Sequence, residues 1–297
     1  MGRYDIAIIG TGPAGISAAI TAKIRNKKLL LLGTKELSVK MAKAHEIQNY
    51  PGLPAIPGAE LAKRMQAHLD AMGVEITEDR IANVYAMGDY FALQGGSAEM
   101  YEADALILAT GVVNAKSYPG EDEYLGRGVS YCATCDAPLY RGKTAIVVGF
   151  SPKEEAEAAF LAELAEKVYY LPQYAFGTEE GDLSQRANVE IVRDAKPVEI
   201  IGENGSVRAL RTDQATMEAN GVFLLRESVA ADKLVPGLLT ENGHVRVDRT
   251  MATNLAGCFA CGDIVGTPYQ YIKSAGEGNV AALSAVAYLD AKKRERA

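Results

Sequence analysis

The chain has no tryptophan, and aromatic residues make up only 7% of its 297 residues. No basic run and no interleaving of basic with aromatic residues marks a nucleic-acid surface, and the formal net charge is −7. No apolar stretch approaches the roughly 20 residues needed to cross a bilayer. Met1-Gly2-Arg3-Tyr4-Asp5 leads straight into an apolar strand, without the regions of a signal peptide. Ile6 stands where a myristoylation signal needs Ser or Thr. Together these absences imply a cytoplasmic protein. Its 4 cysteines are then expected to be reduced, buried or catalytic, not a secretory disulfide framework. The 3 histidines, His45, His68 and His244, are scattered and suggest neither a metal cluster nor a triad.

What is present is a globular composition, 48% hydrophobic and 23% charged, long enough for about two domains. The 29 glycines among many Ala, Val and Ile fit an α/β architecture with tight strand-to-helix turns. Tyr4 to Ile9 reads as a strand, Ala14 to Ile24 as a helix and Leu29 to Leu32 as a second strand, a βαβ unit. A Pro- and Gly-rich linker runs from Asn49 to Gly58, a helix from Glu60 to Met72, and a buried strand from Ala103 to Ala109. A second βαβ unit follows, with a strand at Lys143 to Val148, a helix at Glu154 to Glu166 and a strand at Val168 to Leu171. The last helix is expected from about Ser274 to Leu289. The fold class is therefore α/β with two Rossmann-like nucleotide-binding domains.

Gly10-Thr11-Gly12-Pro13-Ala14-Gly15 is a G-x-G-x-x-G between a strand and a helix. The first Gly allows the tight turn, the second lets backbone approach a pyrophosphate, and the third lets helix and strand pack closely. The helix N-terminus then offers free N–H groups to phosphates. No acidic residue sits where the second strand ends at Gly33-Thr34, so ribose recognition stays open. Ala109-Thr110-Gly111 and Gly262-Asp263 each put small residues at a strand's carboxyl edge, where open α/β sheets bind ligands. Asp263 can accept hydrogen bonds from sugar-like hydroxyls, and the last helix would aim its positive end into the same crevice.

Cys132-Ala133-Thr134-Cys135-Asp136 carries the sharpest chemistry. A C-x-x-C cycles between dithiol and disulfide by intramolecular exchange, with one thiol lowered in pKa to attack as thiolate. Asp136 is placed to shuttle a proton. Cys258 and Cys261 form a second C-x-x-C, but their distance from the first pair does not resemble zinc-site spacing, and they read as small buried hydrophobes. No metal site is expected.

These motifs, with Asn49-Tyr50-Pro51-Gly52 and the Gln270 and Ser274-Ala275-Gly276 stretch, resemble the low-molecular-weight thioredoxin reductase family over essentially the whole chain. The resemblance implies an FAD domain split over residues 1–114 and 243–297, with a smaller C-x-x-C domain at 115–242, in a homodimer. It implies that Cys135 faces the flavin and Cys132 exchanges with the disulfide of thioredoxin. It implies an FAD site built from Gly10 to Gly15, Gly33, Thr34, Lys40, Asn49, Ile81, Ala109, Thr110, Gly111, Gly262, Asp263, Gln270 and Tyr271. Lys40 falls where the family usually has a flavin-contacting Gln.

The departures from the family pattern fall together in the second βαβ unit. It reads Gly149-Phe150-Ser151-Pro152-Lys153-Glu154, with Ser151 for the second Gly and Glu154 for the small third residue. Pro172-Gln173-Tyr174 replaces the basic run that holds a 2′-phosphate, and Arg226-Glu227-Ser228 replaces a Gly-containing turn. Three losses in one site predict that NADPH does not bind. The pattern is similar to the ferredoxin-dependent flavin thioredoxin reductases, which implies reduced ferredoxin as donor. An FAD-dependent dithiol oxidase using oxygen, and a non-enzymatic flavin redox sensor, remain as alternatives.

Overall fold

The computed structural model describes residues 2–295 except Ser38, Lys43, 97–98, 113–116, Cys132, Lys153, 177–181 and 226–229. The side chains of Val39, Lys40, Thr134, Cys135 and Asp182 also lie outside what it describes. The chain forms two compact units, Met1–Val113 with Ala230–Ala297, and Asn114–Val229.

In the first unit, β1 (Tyr4–Ile9), α1 (Pro13–Ile24) and β2 (Leu29–Leu32) form the expected βαβ. Then come α2 (Val39–Ala42), α3 (Gly58–Ala71), β3 (Ile76–Thr77), β4 (Ile81–Ala86), β5 (Phe91–Gly95) and β6 (Met100–Leu108). The second unit holds β7 (Val129–Ser130), α4 (Ala133–Asp136), β8 (Thr144–Gly149), α5 (Glu154–Ala162), β9 (Lys167–Pro172), β10 (Val189–Ile191), β11 (Pro197–Glu203), β12 (Ser206–Thr212), β13 (Thr216–Glu218) and β14 (Gly221–Leu225). The chain then re-enters the first unit through α6 (Ala231–Leu234), β15 (Thr240–Glu241), β16 (His244–Val245), β17 (Cys258–Ala260) and α7 (Tyr271–Glu295).

The first unit's large sheet runs β3-β2-β1-β6-β5-β4, with β17 parallel to β6. Its β1, β2, β3, β6 and β17 are parallel, whereas β4, β5 and β6 form an antiparallel meander. Both faces are covered, so β1 is apolar from Ile6 to Ile9: Ile6 and Ile8 join one core, Ala7 and Ile9 the other. The second unit repeats the device in a parallel sheet ordered β10-β9-β8-β14-β7, with Ala145 and Val147 on one face of β8 and Ile146 and Val148 on the other. Among the described residues no helix is long and apolar enough to cross a membrane.

Several boundaries differ from the sequence reading. The return to the first unit comes at Ala230, not at 243. Leu234, Val235 and Leu238 are the reason, since they are buried beside Leu30, Leu32 and Leu106 in the first unit's core. The last helix spans Tyr271–Glu295, longer at both ends than Ser274 to Leu289. Finally, α5 stops at Ala162 instead of Glu166. Its chain tightens there into i→i−3 bonds, Glu163 N–H to Phe160 O at 3.1 Å and Leu164 N–H to Leu161 O at 3.1 Å.

Candidate active site

The turn after β1 is built from glycines that nothing larger can replace. Gly10 has φ +118°, and a Cβ there would stand 2.2 Å from the Ala109 carbonyl oxygen. A Cβ on Gly15 would stand 1.8 Å from the Gly10 oxygen. Gly12 occupies the N-cap of α1 with Pro13 in its first turn, and no side chain caps the helix. The first-turn N–H groups therefore face the turn free for an anion. Thr11 Oγ1 donates to the Thr34 carbonyl at 2.9 Å, tying the end of β2 to this turn.

The neighbouring strand ends complete a cradle. The buried Thr110 Oγ1 has no hydrogen-bond partner among the described residues, and Gly111, at φ +73°, faces open space. Asp263 Oδ1 accepts from Ser274 Oγ at 3.1 Å, which sets the carboxylate at the start of α7. An orphaned hydroxyl, an uncapped helix start and a carboxylate able to accept from sugar hydroxyls, all at one carboxyl edge, fit the pyrophosphate and sugar of a dinucleotide such as FAD. Asn49 donates its side-chain amide to Gln270 Oε1, bringing together two residues far apart in sequence. The Tyr271 hydroxyl pKa is pushed up by burial and then by the charge of Asp263. Ile81 begins β4 and packs its side chain into the core with Leu30 and Leu106, so only its backbone remains for a ligand. Lys40 lies on α2, its side chain outside the described residues.

Sequence reasoning missed a clamp under this cradle. Lys273 Nζ donates to the Gly262 carbonyl at 3.1 Å and the Gly266 carbonyl at 2.7 Å. Glu277 Oε2 accepts from Gly262 N–H at 2.9 Å and pairs with Lys273 at 3.2 Å. The available signal was a Lys and a Glu at i, i+4 on the helix after a Gly-Asp turn.

In the second unit the corresponding turn is filled by its own side chains. Glu154 is only 4% exposed, and its Oε2 accepts from Ser151 N–H at 2.5 Å. Ser151 Oγ is buried without a partner among the described residues. Tyr174 OH donates to Glu155 Oε1 at 2.5 Å and meets Tyr170 OH at 3.0 Å. Burial first, then the bond to Glu155, pushes the Tyr174 pKa far up, so it stays a neutral donor. Gln173 Nε2 donates to the Ala195 carbonyl at 2.9 Å. Thus two residues of the stretch that would grip a 2′-phosphate are committed to internal bonds. Arg226, Glu227 and Ser228 lie outside the described residues.

The last four residues of the C-x-x-C-D stretch, Ala133–Asp136, form α4. Cys132 lies outside the described residues, and Cys135 is on α4 with its side chain undescribed. Asp136 Oδ2 accepts from Ser130 Oγ at 2.6 Å, which fixes the carboxylate's direction. Burial, then the Asp136 charge, pushes the Tyr140 pKa up to about 12, so this neighbour stays protonated at neutral pH. Two further carboxylates appear that sequence patterns did not signal. Glu121, 1% exposed, accepts from Tyr131 OH at 2.8 Å and from Tyr118 N–H at 2.9 Å. Glu157 Oε2 accepts from Ala133 N–H at 3.2 Å.

Cys258 and Cys261 are free and fully buried in the first unit. Burial pushes the Cys258 thiol up to about 12 and raises the Cys261 thiol as well. Both are expected to resist iodoacetamide in the native protein at pH 8, and to react once it is unfolded. Peptide mass mapping of the two samples checks this, and native labelling of either would contradict the burial argument.

The pyridine nucleotide-disulphide oxidoreductase family profile matches residues 4–278. A thioredoxin reductase of Bacillus subtilis (strain 168) is 32% identical over 97% of this chain and 95% of its own. The crystal structure of a ferredoxin-flavin thioredoxin reductase from Clostridium acetobutylicum is 49% identical, with a TM-score of 0.86 over 99% of both chains. A thioredoxin reductase from Gloeobacter violaceus is 30% identical, with a TM-score of 0.78 over 98% of this chain and 95% of that one.

Proposed function

The chain belongs to the pyridine nucleotide-disulphide oxidoreductase family, among its thioredoxin reductases, and from that premise we propose that it carries FAD, takes electrons from reduced ferredoxin in place of NADPH, and reduces thioredoxin through Cys132 and Cys135 as a homodimer. The observation that carries the case against NADPH is the Glu154 carboxylate folded onto Ser151 N–H. A nucleotide pyrophosphate needs that donor and meets a buried carboxylate instead. Two like charges about 4 Å apart cost roughly 4 kcal/mol at an effective dielectric near 20. The Clostridium acetobutylicum relative supports the same reading, since its name couples ferredoxin, flavin and thioredoxin reduction.

Gly10 to Gly15 would hold the FAD pyrophosphate against the start of α1, and Asp263 would accept from its sugar-like hydroxyls. When bound, FAD supplies chemistry that takes up electrons singly and passes them on as a pair. The residues of the second unit do the exchange. A thiolate of the reduced pair attacks the thioredoxin disulfide, forming one S–S bond as the other breaks. The second thiol then resolves the mixed disulfide, leaving thioredoxin as dithiol and Cys132–Cys135 as disulfide. Asp136, aimed by Ser130, would relay the proton that the second thiol loses to the sulfur that departs.

Anaerobic stopped-flow mixing tests the donor. NADPH and NADH are expected to leave the flavin absorbance unchanged over seconds, whereas chemically reduced ferredoxin bleaches it. Ferredoxins are usually acidic and this chain has a net charge of −7. Docking therefore uses a local basic patch, and the rate should fall as salt rises. Rapid bleaching by NADPH would restore an ordinary thioredoxin reductase. Bleaching by no donor, with oxygen uptake on adding dithiols, would make the protein a dithiol oxidase.

A further inference from the structure

The sheet pairing of β17 ends where Cys261 N–H donates to the Leu108 carbonyl at 2.9 Å. The chain then turns through a short 3₁₀ segment, Gly262–Val265, which carries Asp263. Gly262 is buried there, so its peptide groups need partners that the sheet no longer supplies. Two side chains of α7 take that place. Glu277 Oε2 accepts from Gly262 N–H at 2.9 Å, and Lys273 Nζ donates to the Gly262 carbonyl at 3.1 Å. Lys273 Nζ also donates to the Gly266 carbonyl at 2.7 Å, so one ammonium grips the chain on both sides of Asp263. A cation in the first turn of α7 opposes the helix dipole, and a compensating contact is what keeps it there. Helical side chains lean toward their own N-terminus, which carries Lys273 back over the turn. Glu277 holds it at 3.2 Å, each side chain being only 20% exposed.

We propose that Lys273, held by Glu277, is a positioning residue for the cofactor, fixing the turn at 262–266 before FAD binds so that the Asp263 carboxylate is already in place for the sugar hydroxyls. This rests on the reading that Asp263 meets the sugar of FAD. Ser274 Oγ, at 3.1 Å, sets the direction of the carboxylate, whereas the clamp sets the backbone that carries it. Without the ammonium the buried Gly262 carbonyl loses its donor and the turn loosens. The entropy of ordering it then opposes binding.

The test is calorimetric titration of flavin-free protein with FAD. Lys273→Met keeps an apolar stem but removes the ammonium. Its Kd for FAD is expected to rise about tenfold, the cost of ordering roughly one residue's backbone. Lys273→Arg, which keeps the charge and the donors, should stay near wild type. Lys293→Met, at the exposed far end of α7, should leave the Kd unchanged. The deciding comparison is an Asp263→Ala background. Lys273 has no carboxylate to position there, so Lys273→Met should add little to the Kd. An equal rise in both backgrounds overturns the proposal, because the clamp would then act by a route other than Asp263. A Lys273→Met Kd equal to that of wild type overturns it as well. Should Lys273→Met not fold, Glu277→Gln decides in the same two backgrounds. It weakens the hold on Lys273 but keeps an oxygen to accept from Gly262 N–H, and its smaller rise should likewise vanish with Asp263→Ala. A wild-type protein that takes up no FAD would overturn the cofactor reading and this proposal with it, whereas wild-type binding with unaffected variants overturns this proposal alone.

Discussion

Cys132→Ser and Cys135→Ser are each expected to reduce thioredoxin at no more than the background rate of the assay, with the fold and bound flavin retained. The exchange needs two sulfurs: one to form the mixed disulfide and one to resolve it, and a serine hydroxyl does neither at neutral pH. Cys132→Ser should not accumulate a stable mixed disulfide by the same route as Cys135→Ser if Cys132 is the sulfur that attacks thioredoxin. Mixing each variant with a thioredoxin lacking its own resolving cysteine, then separating the products without reductant, reads this directly. Cross-linking confined to Cys135→Ser assigns attack to Cys132, and the opposite pattern would exchange the two roles. Asp136→Asn should keep the pair but lose about a hundredfold or more in turnover, the usual range for a positioned acid. Ser130→Ala, which only frees the carboxylate bonded at 2.6 Å, should lose less. Full activity in either cysteine variant would remove the pair from the mechanism.

The sequence showed most of the fold because each βαβ unit has a simple signature. An apolar strand, a Gly-containing turn and a small-residue helix lie in order at Tyr4 to Leu32, and the pattern returns with altered turn residues at Thr144 to Pro172. Its candidate site positions were legible where they are backbone or turn positions, such as Gly10, Gly15 and Gly262. The partners missed were long side chains reaching across elements. Glu121 and Glu157 reach Tyr131 and Ala133, beside the C-x-x-C, from 10 and 24 residues away in the chain, and nothing in a linear pattern marks such contacts. The boundary at Ala230 was missed for a related reason: one short helix, α6, decides it by burying Leu234, and a single turn leaves no periodicity to read. The role of Glu154 shows the limit from the other side. The sequence located a carboxylate in that turn, but only the fold turns it inward, where its Oε2 accepts from Ser151 N–H.

Gly15→Ala is expected to yield a protein that purifies without flavin and unfolds at a markedly lower temperature. The added Cβ would lie 1.8 Å from the Gly10 oxygen and 2.9 Å from its carbonyl carbon. Those are backbone atoms, so no rotamer relieves the contact, and α1 must move away from β1. That movement breaks two things at once. It withdraws the first-turn N–H groups from the pyrophosphate position, and it pushes α1 against α7. There is no slack at that second contact, because a Cβ on Gly278 would already meet the Ala14 oxygen at 2.0 Å. Gly278→Ala should therefore give the same colourless, destabilised protein from the opposite helix. Gly73→Ala is the control. Gly73 has φ +61° and, among the described residues, no atom within 4 Å of its missing Cβ, so the cost is backbone strain alone, about 1–2 kcal/mol. That variant should melt slightly earlier and stay yellow. The ratio of visible flavin absorbance to protein absorbance, taken with thermal melts of all three variants, decides the matter. A yellow Gly15→Ala protein with a wild-type melting temperature would mean that the turn between β1 and α1 does not hold the cofactor.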